Sequence, residues 1–221
     1  MIWLVLIILL LLLIFAVYAS YSIQLGFYIK SICRMRINEK IVYLTFDDGP
    51  DPIQTPKILE VLKEYGAVAT FFCIGEKVEN HPELVRRILE EGHRVGNHSY
   101  SHSRKFPIFS LNKMLSDLTL CDSALDKIDP NREKLFRPPF GVTNPTIAKA
   151  IIRKGYKSIG WSIRSLDTVK SQTKVLLRIE RQLKPGSILL LHDRLKASDE
   201  LLIKVLKLLE DKEYSFNKPI L

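Results

Sequence analysis

The stretch Ile41-Val42-Tyr43-Leu44-Thr45-Phe46-Asp47-Asp48-Gly49-Pro50 decides how this chain is read. Its first residues are apolar, β-branched or aromatic, the composition of a buried strand. Gly49 and Pro50 then stop the strand and force a turn. Two carboxylates therefore emerge together at a strand end, where α/β folds place their chemistry. Adjacent like charges resist joint ionisation unless their work is divided. One division gives a carboxylate to a metal and leaves the other as a base. A solvated Asp-Asp-Gly-Pro turn has the same composition, so distant parts of the chain must choose.

Strands and helices alternate outward from this stretch with short connections. Strands are expected at residues 41–46, 68–74, 93–97, 156–161 and 187–191. Helices are expected at residues 55–65, 82–91, 111–127, 145–154, 173–183 and 199–209. Pro82 suits a first helical turn, Gly92 and Gly155 suit helix ends, and Ser110 suits an N-cap. Such alternation predicts a parallel-stranded α/β domain, barrel-like or open.

The 221 residues are enough for one sizeable core and short for two. With 47% hydrophobic and 26% charged residues, the chain is not a disordered one. No charged side chain occurs from Met1 to Ile29, and residues 2–17 are continuously apolar. That run reaches the roughly 20 residues needed to cross a bilayer. A cleaved signal peptide competes, since Val17-Tyr18-Ala19 loosely fits a cleavage site. The length of the run, and the absence of Lys or Arg before it, favour an uncleaved anchor. The expected partition is an anchor at 1–29, a basic juxtamembrane linker at 30–37 and one α/β domain at 38–221.

Lys30, Arg34, Arg36 and Lys40 follow the apolar run, which by the positive-inside tendency favours a cytoplasmic domain. Long domains translocate largely regardless of such charges. The net charge of +9 suits an anionic surface or acidic polymer. No helix-turn-helix, zinc-finger or RNA-binding signature accompanies it, so nucleic acid is not an expected partner. Cys33, Cys73 and Cys121 are odd in number and widely spaced, which indicates neither a disulfide framework nor a zinc-thiolate site.

Three further constellations carry chemistry. In Asn97-His98-Ser99-Tyr100-Ser101-His102, two histidines four residues apart share a helical face or converge from a turn. With Asp48 they make a two-His-one-carboxylate set that leaves positions open for water. In Arg137-Pro138-Pro139-Phe140-Gly141, an Arg at a strand end can orient a carboxylate. Leu189-Leu190-Leu191-His192-Asp193 ends an apolar strand in a His suited to acid or base work.

In this order the pieces resemble the polysaccharide deacetylase family, the NodB-homology domain of carbohydrate esterase family 4. The resemblance runs over residues 38–215 and implies a distorted, incomplete (β/α) barrel preceded by one N-terminal transmembrane helix. It implies that Asp48, His98 and His102 hold one divalent metal, zinc first, with cobalt, nickel or manganese as alternatives. Asp47 would be the general base and His192 the acid that protonates the departing amine. Arg137 would orient Asp47, the backbone N–H of Phe140 would receive the oxyanion, and Leu190 would line the acetyl pocket. Trp161 is placed either on the sugar site or in the core.

The family's fourth motif departs here. Arg164 stands where an Asp that tunes the acid histidine is expected, and Thr168 replaces a Trp. Asp167 and Asp193 are the carboxylates that could tune His192 instead, while Arg164 points either into the site or away from it. The implied reaction is removal of N-acetyl groups from a glycan, with cell-wall peptidoglycan the leading substrate. Alternatives are a lipid-linked sugar precursor, an exopolysaccharide, or a non-catalytic glycan-binding role. No obligate protein partner is implied. The anchored domain is expected outside the cytoplasm, against the weak bias of its flanking charges.

Overall fold

The structure, a computed structural model, describes residues 1–221. Seven parallel strands form one curled sheet: β1 (Val42–Gly49), β2 (Ala69–Cys73), β3 (Arg94–Asn97), β4 (Leu135–Phe136), β5 (Lys157–Ser158), β6 (Ile163–Arg164) and β7 (Ser187–His192). Their order, β5-β4-β3-β2-β1-β7-β6, puts β1 near the middle and leaves β5 and β6 as free edges. This is the expected incomplete barrel. Every residue of β1 is buried, as a strand covered on both faces must be.

The period-two alternation of β1 sorts its side chains. Val42, Leu44 and Phe46 enter a large core shared with α2 (Gln54–Glu64) and α8 (Ser198–Asp211). Tyr43 points to the other face, into a smaller core with Phe72, Leu135, Trp161, Ile188 and Leu190. Ile58, Leu59 and Leu62 supply the α2 stripe, and Leu201, Leu202, Val205, Leu206 and Leu209 the α8 stripe. The outer layer continues through α3 (Gly75–Asn80), α4 (Pro82–Glu90), α5 (Leu111–Asp126), α6 (Pro145–Lys154) and α7 (Gln172–Gln182). Ser110 caps α5, its Oγ accepting from Lys113 N–H, and Asn144 caps α6 through Ile147 N–H at 2.9 Å.

Three local expectations need correction. Residues 156–161 do not form one strand: only Lys157–Ser158 pairs with β4, and Ile163–Arg164 begins a separate strand against β7. Between them the chain crosses the open side of the half-barrel, so continuous pairing is impossible there. Helix α3 was missed because six residues carry no usable apolar period. The two-residue β4 was anticipated only as the strand end before Arg137.

Residues 30–37, expected as a linker, lie along that open side. Ile32 pairs with Ile159, and Arg34 pairs with Ser187 at the start of β7. Ile23, Ile32, Cys33, Met35 and Ile37 pack into the core inside the half-barrel. The segment thus fills the gap between the free edges. Before it, α1 (Ile2–Tyr21) is long and apolar enough to cross a membrane, with a mean hydropathy of 3.2 over an 18-residue window.

Candidate active site

The carboxyl rim gathers nearly all the residues singled out from sequence. Asp47, Asp48, His98, His102, Phe140, Trp161, Arg164, Leu190 and His192 line one cleft of about 180 Å³. The two aspartates reach it by different backbone routes. Pairing with β2 advances from Asp47–Phe72 to Gly49–Cys73, which leaves Asp48 as a bulge. Asp48 has φ +76°, a strained conformation for a non-glycine residue. The bulge lets neighbouring residues serve the same cleft when a regular strand would send them to opposite faces. Gly49 is required behind it, since a Cβ there would meet the Asp193 carboxylate at 2.0 Å.

Asp47 is held from below. Arg137 is fully buried and donates from Nη1 to Asp47 Oδ1 at 2.7 Å and to Thr45 Oγ1 at 2.8 Å. Its Nε donates to Ile159 O and its Nη2 to Gly160 O at 2.8 Å. The guanidinium lies over Phe72, 4.2 Å from the ring centroid. Asp47 Oδ2 remains on the cleft side, 3.8 Å from His98 Nε2.

Asp48 faces the histidine pair. Its Oδ1 lies 3.5 Å from His98 Nε2 and 3.3 Å from His102 Nε2. Its Oδ2 accepts from Arg194 Nε at 2.7 Å, and Lys77 Nζ donates to its backbone carbonyl at 2.6 Å. Burial would push the Asp48 carboxyl up, but the His98 hydrogen bond and the charges of His98, His102 and Arg194 hold it well below the usual carboxylate range.

The histidines come from a turn and not from a helix. Asn97 Oδ1 accepts from Ser99 N–H at 2.8 Å, and Asp117 Oδ1 accepts from Tyr100 N–H at 2.8 Å. His98 Nδ1 donates to Arg137 O at 2.8 Å, which turns Nε2 towards Asp48. Such an orienting bond on the far nitrogen is usual for a metal-ligating imidazole. Burial and the neighbouring His98 push the His102 imidazole down to about 4, leaving it a neutral donor.

One ligand atom each from Asp48, His98 and His102 can lie within 4.8 Å of the others. One carboxylate oxygen and two imidazole nitrogens, one already oriented, suit a divalent ion with open positions. The residues present fit such a metal.

His192 ends β7 beside Asp47, its register partner on β1, and lines the same cleft. Its Nδ1 bonds Asp167 Oδ1 at 2.8 Å, and its backbone N–H donates to Asp167 Oδ2 at 2.8 Å. Burial alone would lower the imidazole, but the Asp167 hydrogen bond and charge outweigh it and raise its pKa. Asp167, not Asp193, is therefore the carboxylate on this histidine. Asp193 turns away, accepts from Thr55 Oγ1 at 2.7 Å, and is pushed up to about 7 by burial. Arg164 reaches the cleft, with its guanidinium 5.8 Å from the Trp161 ring. Trp161 lines the cleft and is at the same time buried against the inner core.

Phe140 has φ +61°, and its ring packs against His102 at a tilt, centroids 4.7 Å apart and planes 53° apart. Gly141 beside it has φ +71° and no room for a Cβ, which would lie 2.3 Å from Trp161. Sequence reasoning missed Arg194 and Lys77. Arg194 follows His192-Asp193 directly and could have been found there, whereas Lys77 lies on the unforeseen α3.

A parallel half-barrel with paired carboxylates and three imidazoles at its carboxyl rim is the layout of a hydrolase. Residues 34–159 match the family model described as polysaccharide deacetylase. A peptidoglycan-N-acetylglucosamine deacetylase of Bacillus cereus is 39% identical over 164 residues, covering 71% of this chain and 74% of that protein. The peptidoglycan-N-acetylmuramic acid deacetylase PdaA of Bacillus subtilis is 33% identical over 183 residues, covering 80% and 69%. Among solved structures, the peptidoglycan deacetylase PdaC of Bacillus subtilis superposes with a TM-score of 0.74 at 33% identity, covering 81% of this chain and 87% of that one. The chain belongs to the polysaccharide deacetylase family and is a hydrolase acting on carbon–nitrogen bonds.

Proposed function

We propose that this protein is a membrane-anchored N-deacetylase of cell-wall peptidoglycan, acting outside the cytoplasm. The observation that carries the proposal is a pair on adjacent strands that lines one cleft: Asp47 clamped by Arg137, and its register partner His192 bound to Asp167. In this reading α1 is the uncleaved anchor. Arg164 and Arg194 give the cleft two guanidinium groups that suit the acidic groups of the polymer.

A divalent metal held by Asp48, His98 and His102, zinc first, would polarise the acetamide carbonyl and ease deprotonation of water. Asp47 Oδ2 takes a proton from the attacking water, whose oxygen bonds to the carbonyl carbon. The Phe140 backbone N–H receives the developing oxyanion, and Leu190 with Trp161 borders the acetyl methyl. The carbon–nitrogen bond then breaks with its electron pair on nitrogen, and His192 Nε2 supplies the proton. Acetate and a free amino sugar leave.

Mass spectrometry of peptidoglycan fragments before and after incubation tests the proposal. Loss of acetyl groups from the glycan, matched by free acetate, is expected. Fragments left intact by metal-loaded protein would instead favour a non-catalytic glycan-binding role.

The tie from His192 to Asp167 predicts a pH effect. The acid must be protonated, and Asp167 keeps it so to higher pH. Asp167→Asn therefore moves the alkaline limb of the kcat profile down by about one pH unit, the scale of one charge-assisted bond. An unmoved limb would detach Asp167 from the acid.

A further inference from the structure

We propose that the rim formed by Phe27, Tyr28, Pro107 and Ile108 is a docking face for the headgroup–acyl boundary of an anionic bilayer. The inference rests on the reading of α1 as a membrane anchor and extends it: the catalytic domain is seated on the membrane, not hung from it by a tether.

The last turns of α1 are built into the domain. Ala19 is fully buried, Ser20 O accepts from Thr143 N–H at 2.8 Å, and Ala19 O accepts from Thr143 Oγ1 at 3.4 Å. Gln24 Nε2 donates to Ser162 O at 3.3 Å. Ala16, Val17 and Tyr21 of α1 share one shallow cavity with Tyr28, Pro107, Ile108 and Val142. Phe27 folds back onto Phe15, edge to face at 5.1 Å.

Helix geometry converts these contacts into depth. The 20 residues of α1 rise about 30 Å in all, no more than the hydrocarbon thickness. Phe15 precedes the end of α1 by six residues, about 9 Å along the axis. A helix that spans therefore carries Phe27, and the Pro107–Ile108 loop beside Ala16 and Val17, to interfacial depth. Their exposure fits that environment: Ile108 is 81% exposed and Phe27 57%, a high value for large apolar side chains. Tyr18, Tyr21 and Tyr28 add the amphipathic rings that favour such a boundary.

Charge agrees. No Asp or Glu occurs before Glu39, between Glu91 and Asp117, or between Glu133 and Asp167. These are the segments that supply α1, the Pro107–Ile108 loop and the Thr143 contact. Lys30, Arg104, Lys105 and Lys113 are exposed in them, so the segments that build the face carry cations and no side-chain carboxylate. Thr143 also follows Phe140 by three residues, which brings the cleft beside the docked rim. The glycans reached first are those held at the bilayer surface.

Site-directed nitroxides on the full chain, in vesicles of phosphatidylglycerol and phosphatidylethanolamine, test the seating. Cys73 and Cys121 are buried, so a Cys33→Ser background suffices. Labels at Ile108→Cys, Leu10→Cys and Lys63→Cys report the rim, the middle of α1 and the far helix α2. The expected result is that the Ile108 and Leu10 labels collide more with oxygen than with a water-soluble nickel chelate, and the Lys63 label the reverse. An Ile108 label as aqueous as Lys63 beside an immersed Leu10 label would overturn the seating and leave the anchor standing. An aqueous Leu10 label would overturn both. As a functional counterpart, Ile108→Asp with Lys105→Glu should cut acetate release from a vesicle-embedded N-acetyl glycolipid about tenfold and spare a soluble fragment, a change of about 1.4 kcal/mol. Equal rates on both substrates would argue against the seating.

Discussion

Asp47→Asn is expected to lower kcat for acetate release by about 10³-fold, within the range that general-base catalysis contributes. That loss corresponds to about 4 kcal/mol of transition-state stabilisation. The amide keeps the shape of the carboxylate and can still meet Arg137 through its oxygen, so the fold should persist. It cannot take the proton. KM should change little, because Asp47 is 4% exposed at the base of the cleft and offers a bound sugar little surface. Metal content should also persist, since Asp48, His98 and His102 are untouched. A variant within tenfold of the native rate would remove Asp47 from the chemistry and leave only a structural ion pair.

The second large effect falls on stability. Arg137 is wholly enclosed, and its guanidinium joins β1 to the strand crossing of residues 159–160. Arg137→Met fills much of the same volume but strands the Asp47 carboxylate, Thr45 Oγ1 and two backbone carbonyls without their donor. Breaking a buried pair from one side costs about 3–5 kcal/mol. For a domain of this size, that lowers Tm by about 10 °C in thermal unfolding followed by circular dichroism. Activity should fall as well, since Asp47 loses the contact that aims Oδ2 into the cleft. An unchanged Tm would mean that Asp47 is neutral, or is held by some other group.

Much of this site is legible in the chain itself, because most of its functional groups close or follow strands, and the apolar pattern finds all of those strands but the two-residue β4. Asp47 and Asp48 close β1, His98 follows β3, Arg137 follows β4 and His192 ends β7. What could not be read depends on backbone detail. Nothing in Thr45–Pro50 announces that Asp48 is bulged, although Gly49 is the residue that allows it. The tuning carboxylate was left open between Asp167 and Asp193 because period two settles sides only inside a regular strand. Asp193 sits just past the end of β7, and the loop after β6 brings Asp167 to His192. The role of residues 30–37 was invisible for a different reason. Ile32, Met35 and Ile37 alternate with basic residues, which reads as a charged linker unless the open side of the half-barrel is known to need filling. Arg194 was overlooked because a cation just past a strand end looks like a surface residue, yet it takes the second oxygen of Asp48.

The adjacent aspartates can divide their work because their surroundings differ. Arg137 and Thr45 anchor Asp47 from the inner face, while His98, His102 and Arg194 surround Asp48. In the proposed reaction one is the base and the other a ligand. Metal removal from the full chain is the most direct test of that division. After dialysis against a chelator, acetate release from N-acetylated peptidoglycan fragments should fall to background. It should return with about one equivalent of zinc, and His102→Ala should need a higher zinc concentration for the same recovery, as expected when one of three protein ligands is lost. Chelated protein that holds no measurable metal yet releases acetate at the native rate would contradict the account.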